Sequence, residues 1–207
     1  MRPSQQAQGF VAAALLRREE PARLLAEDAE RVARACHAMA VRFHRGAKLV
    51  VFGSGGPTTD AQHISVEFVH PVIVGKRALP AIALTNDVAT VTGITGREGF
   101  SEVFVHQLRC LAEPEDIALG LSSDGHDRAV LRGLEVAAQH GLLTIALLGG
   151  DGGQIAAAGV AEHVLLARSD DPLVVKEVHV TAYHLLWELV HVFFEQPGAL
   201  GPEVVVR

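Results

Sequence analysis

His63 and Glu67 stand four residues apart in "TTDAQHISVEFV", residues 58–69. On a helix that spacing puts both side chains on one face, close enough to share a metal ion or a substrate proton. A similar pattern comes late in the chain, where His184, Glu188 and His191 follow i, i+4, i+7 spacing and His179 lies just before them. Imidazole and carboxylate together can serve as general acid and base, or as ligands for zinc. With 11 histidines in the chain, any one of them taken alone reads first as a core or interface residue. His70 continues the first face by one turn, but Pro71 follows and points to a helix end.

Just before His63 lies "GSGGPTTD", Gly53 to Asp60. Glycines let the backbone approach an anion, and the free N–H groups of the following helix point at it. A tight turn capped by Thr58, Thr59 or Asp60 explains the same residues equally well. A second loop, "LSSDGHD" (residues 121–127), offers the Ser122 and Ser123 hydroxyls or simply an N-cap and a glycine turn. A third, "LLGGDGGQ" (147–154), reads on its own as a connector.

These loops need a scaffold. Short apolar runs at "KLVVFG", "PAIALT", "DIALGLS", "LLTIALLG" and "EHVLLA" are separated by segments long enough for helices. That alternation predicts an α/β fold with a parallel sheet wound by helices on both faces, and ligands beyond the carboxyl ends of its strands. Residues 5–46 predict two helices, or one kinked near Pro21. The segment 172–194 is apolar nearly all round and predicts a helix buried in the core or at a subunit interface.

The 207 residues suit one domain, and 49% hydrophobic with 5% aromatic residues calls for an aliphatic core. A net charge of −6 without a basic run argues against nucleic acid or an anionic membrane as partner and favours a small polar ligand. The absence of an apolar run long enough to span a bilayer, or of an export signal, leads us to expect a cytoplasmic protein. Cys36 and Cys110 have no metal spacing and read as half-buried thiols.

Taken together, the motifs resemble the sugar isomerase (SIS) domain family, and within it the phosphoheptose isomerases. "GSGGPTTDAQHISVEF" is similar to the family's Gly-Asn-Gly-Gly-Ser loop and His-x-x-x-Glu helix. "LPAIALTNDVATVTGITGREGF", "EVF", "GLSSDG", "LLGGDGG" and "EVHVTAYH" follow in the family's order. The resemblance implies a five-stranded parallel sheet flanked by helices, a single SIS domain over 1–207 with its core at 47–196, and a helical segment at 1–46 that contributes to the oligomer. It also implies a homotetramer with active sites between subunits, and isomerisation of sedoheptulose 7-phosphate through an enediol.

By the same resemblance, Glu67 is the base and His184 the acid, and zinc is held by His63, Glu67 and His184. The family's fourth ligand, a glutamine, falls at Lys176, which could instead pair with Glu67 where the metal would sit. The substrate-binding positions are Ser54, Gly55, Gly56, Ser122, Ser123, Asp124, Asp127, Arg97 and Lys176. Several depart from the family: Asn becomes Ser54, Ser becomes Pro57, two phosphate-binding hydroxyls become Asp124 and Asp127, and an Asn-Asp pair becomes Gly96 and Arg97. Two carboxylates would repel a phosphate dianion, so Arg97 and Lys176 are the expected compensating cations. The alternative expectation is a repurposed tetramer that binds a carbohydrate derivative or polyol, or acts as a protein scaffold. The family has a precedent for the latter in a paralogue that binds the bacterial replication initiator protein.

Overall fold

The computed structural model of the protein describes residues 5–196 and 198–200. All five apolar runs form strands: β1 (Leu49–Gly53), β2 (Ala81–Ala83), β3 (Ile117–Ser122), β4 (Leu143–Gly149) and β5 (His163–Ala167). They make one parallel sheet in the order β2-β1-β3-β4-β5. Every residue of β1, β3 and β4 is buried, which is why these strands read as continuous apolar runs.

The helices among the described residues are α1 (Gln5–Glu27), α2 (Ala29–His44), α3 (Pro57–Val69), α4 (Val88–Glu98), α5 (Val103–Leu111), α6 (Arg128–Gln139), α7 (Gly153–Ala158) and α8 (Pro172–Glu195), with a single 3-10 turn at Phe100–Glu102. Strand side chains alternate between faces. Leu49, Val51, Leu119, Leu121, Ile145 and Leu147 pack under α1, α2, α3 and α8. Val50, Phe52, Ala118, Ala146 and Leu148 pack under α5, α6 and α7. Truncating a fully buried ring such as Phe52 to Ala would cost about 3–5 kcal/mol.

Two details differ from expectation, and α8 takes one of the two places expected for it. The N-terminal segment is two helices, and the break lies at Asp28; α1 runs straight through Pro21. Asp28 N bonds to the Leu24 and Leu25 carbonyls, and its carboxylate meets Arg168 at 2.7 Å. The apolar helix α8 is hidden largely within its own chain, since Val174, Val178, Ala182, Leu186, Trp187 and Val190 are buried against neighbouring elements. Exposed apolar surface lies elsewhere, at Phe10, Val11, Leu15 and Leu16 of α1 and from Val66 to Val74 around the end of α3. Cys36 is buried and Cys110 exposed, so neither is half-buried. Burial pushes the Cys36 thiol up to about 12, which keeps it protonated and inert. No helix among the described residues is long and apolar enough to cross a membrane.

Candidate active site

Beyond the carboxyl ends of β1, β3 and β4 the three glycine-bearing loops meet, locked by contacts that leave no room for a side chain. A Cβ on Gly149 would lie 1.9 Å from the Ser123 carbonyl oxygen. One on Gly125, whose φ is +74°, would lie 2.1 Å from the Gly152 carbonyl. The third loop, expected to be a connector, therefore braces the second.

The first loop carries Gly55 at φ +67° and leads into α3 with Pro57 in its first turn. The N–H groups of Gly55 and Gly56 donate to no protein acceptor among the described residues. Two donors at a helix N-terminus are thus open to an anion. The hydroxyls are less available than expected. Ser54 donates to Asp127, whose other oxygen caps α6 by accepting from Val130 N at 3.0 Å. Ser122 is buried; its Oγ accepts from Gly125 N at 3.0 Å and donates to Asp124 at 3.2 Å. Asp124 also accepts from His126 N at 2.9 Å. Asp127 is thus engaged through both oxygens, by the first loop and by α6, and Asp124 through Oδ1, by donors of its own loop. Ser123 is exposed and lines a cavity of about 220 Å³ with Gly56, Asp60, Lys176 and His179.

Lys176 does not reach Glu67. Its Nζ lies 2.8 and 2.9 Å from the two oxygens of Asp60, and it donates to Thr59 Oγ1 at 3.1 Å. The carboxylate of Asp60 is buried, 4% exposed, and needs a counter-ion more than the half-buried Glu67 does. Lys176 therefore ties α8 to the first loop and sits beside the cavity with its charge already paired. Arg97 is also displaced from its expected place. It is exposed near the end of α4 and lines a separate cavity of about 820 Å³ with Asn86, His106 and Gln107. The two cavities share no lining residue, so within one subunit Arg97 does not serve the first. Gly96 is likewise exposed.

His179 is 2% exposed and its Nε2 has no hydrogen-bond partner. Burial lowers its pKa from 6.5 to about 4, so it is a neutral imidazole in the wall of the smaller cavity.

His63, Glu67 and His184 come together, and one ligand atom from each lies within 4.8 Å of the others. Helix α8 sets their positions. Tyr183 Oη lies 2.8 Å from His63 Nδ1, and Trp187 Nε1 donates to the Glu67 carbonyl at 2.9 Å. His63 Nε2 faces Glu67 Oε1 at 3.2 Å, which leaves the second carboxylate oxygen open. Two imidazoles and a carboxylate on rigid helices fit zinc with a coordination position left for substrate. Burial pushes the Tyr183 hydroxyl up, with Asp60 and Glu67 adding to the effect, so it keeps its hydrogen.

The remaining candidates are structural. His191 is a buried core histidine, with Nδ1 2.8 Å from the Trp187 carbonyl oxygen and Nε2 3.0 Å from that of Arg77; a neutral ring donates to one of the two. Glu188 is exposed, and His70 ends α3. The sequence pointed to Asp60 only as a cap, and to no role for Tyr183 and Trp187. A signal was present: the chain has one Tyr and one Trp, and both fall in the helix that carries His184.

A family model described as SIS domain matches residues 18–149. The chain is 40% identical over 182 residues to a phosphoheptose isomerase of Solidesulfovibrio magneticus, covering 87% of this chain and 88% of that one. It is 39% identical to the phosphoheptose isomerase of Aquifex aeolicus over 70% of this chain and 75% of the relative. Among solved structures, a phosphoheptose isomerase from Francisella tularensis superposes with a TM-score of 0.82 at 28% identity, over 93% of this chain and all (100%) of that one. One from Neisseria gonorrhoeae gives 0.81 at 27% identity, over 89% and 98%.

Proposed function

The chain belongs to the SIS-domain family, and we propose that within it this protein is an aldose–ketose isomerase of the phosphoheptose type, acting on sedoheptulose 7-phosphate or a related sugar phosphate. The observation that carries this reading is the convergence of His63, Glu67 and His184 within 4.8 Å between α8 and α3, the helix that follows the first glycine loop. The similarity to phosphoheptose isomerases over most of the chain supports it.

Isomerisation moves one proton between adjacent carbons and another between their oxygens, passing through a cis-enediol. Glu67 takes the carbon proton with the oxygen not engaged by His63 and returns it to the neighbouring carbon. His184 gives a proton to the carbonyl oxygen and accepts one from the hydroxyl. His63, Glu67 and His184 would hold zinc, which would supply polarisation of the carbonyl. The phosphate end is read as meeting the free N–H groups of Gly55 and Gly56 and the hydroxyl of Ser123, beside Lys176. Asp124 and Asp127 spend their charge on loop donors and the α6 terminus.

The working unit is taken as a cytoplasmic homotetramer with sites between subunits. The exposed apolar residues of α1 and the exposure of His184 support this, since another copy would cover both. A second reading is a repurposed site for an uncharged polyol, or a scaffold tetramer. It is favoured by one observation: the Ser54 and Ser122 hydroxyls are spent on carboxylates.

Incubating the protein with sedoheptulose 7-phosphate in D2O tests the enediol step. Deuterium at C1 of the ketose and C2 of the aldose supports the reading, and unlabelled substrate with no product speaks for the second one.

A further inference from the structure

We infer that Tyr183 is the positioning residue of the metal centre, and that its hydroxyl switches between donor and acceptor as His63 passes from proton carrier to metal ligand. The inference rests on the reading of His63, Glu67 and His184 as a metal set. Tyr183 is 2% exposed and its Oη lies 2.8 Å from His63 Nδ1. Its ring meets His63 edge-on at 5.3 Å and His184 edge-on at 4.9 Å, so one side chain wedges both imidazoles. The two imidazoles also meet each other edge-on at 5.3 Å.

A neutral imidazole has one N–H and one acceptor nitrogen. With no metal bound, one arrangement satisfies every group: Tyr183 O–H donates to Nδ1, and Nε2–H donates to Glu67 Oε1, 3.2 Å away. The opposite tautomer would turn the Nε2 lone pair toward a carboxylate oxygen with nothing between them, which is repulsive. Once Nε2 ligates a cation, its hydrogen must go. The ring then carries hydrogen on Nδ1, the Tyr183 hydroxyl rotates, and Oη accepts. One hydrogen leaves Nε2 and one arrives at Nδ1, so the ring's hydrogen count is unchanged. A hydroxyl can serve both states; a carboxylate could only accept and a backbone N–H could only donate.

Tyr183→Phe removes the hydroxyl and keeps the ring that wedges the histidines. Zinc affinity, measured by competition with a chromophoric chelator, should fall about tenfold to a hundredfold, with an unchanged far-UV spectrum. In metal-free protein the Nδ1 signal of His63 in nitrogen-15 NMR should shift as its hydrogen bond is lost, and in the zinc-loaded wild type that nitrogen should become the protonated one. Unchanged affinity together with unchanged nitrogen signals would overturn the inference. Wild-type protein that takes up no zinc would sink the metal reading itself, and the metal-free nitrogen signals would still decide whether Tyr183 orders His63.

Discussion

Lys176 Nζ stands 2.8 Å from Asp60, and this pair joins the first turn of α3 to the second turn of α8. The two helices that supply His63, Glu67 and His184 are thereby fixed relative to each other from the loop end. The half of the pair that matters energetically is Asp60, because it is buried while the lysine side chain remains 43% exposed.

Lys176→Ala should therefore destabilise the fold by about 2 kcal/mol at pH 7, below the usual cost of breaking a fully buried pair because water reaches the lysine. Lys176→Gln keeps a donor for Asp60 and should lose about half as much. Denaturant titration of the three proteins checks the order.

His179 makes stability depend on pH. Its folded pKa is lowered to about 4 from 6.5, mainly by burial. Below pH 6.5 the unfolded chain takes up a proton that the folded protein refuses until about pH 4. Its contribution is fully present above 6.5 and is lost as pH falls through that window, by about 3 kcal/mol at the lower end. His179→Leu should flatten the decline of stability between pH 6.5 and 4 by about one proton's slope. An unchanged slope would show that the imidazole is protonated in place.

The loop glycines separate close packing from backbone preference. Gly149→Ala places a Cβ 1.9 Å from the Ser123 carbonyl oxygen and should cost about 3 kcal/mol or more, with loss of substrate binding. Gly141→Ala, at φ +81° with nothing within 4 Å, should cost only about 1 kcal/mol and leave binding intact. Thermal unfolding and calorimetry distinguish the two.

Asp127 caps α6 while accepting from Ser54. The double change Asp124→Ser, Asp127→Ser keeps a capping oxygen, frees Ser54 and removes two negative charges. Sugar-phosphate affinity should rise about tenfold, or about 1.4 kcal/mol. Asp127→Ala should instead cost about 1 kcal/mol of stability. Unaltered affinity in the double variant would mean that the carboxylates do not face the phosphate.

The five strands were legible because each is a short apolar run, buried throughout in β1, β3 and β4, and His63 and Glu67 were legible because helical spacing alone puts them together. Joining His184 to them took the resemblance to a family, since 117 residues separate it from Glu67. The partner of Lys176 was not legible. Which carboxylate it chooses depends on how α3 and α8 lie side by side and on which acid is buried, and neither has a local signature. Asp28, at the break between α1 and α2, likewise pairs with Arg168 far along the chain. Asp124 and Asp127 read as charges facing a ligand because a sequence does not show that backbone N–H groups and Ser54 already hold them.

The central claim is that Glu67 moves a proton between carbons of a sugar phosphate. The direct measurement is turnover of sedoheptulose 7-phosphate by purified protein and by Glu67→Gln, whose side chain is nearly isosteric but cannot act as the base. The account predicts measurable turnover in the first and a loss of at least about a hundredfold in the second, with both proteins equally stable. Equal rates, or a wild type that neither binds nor converts the substrate, would contradict it.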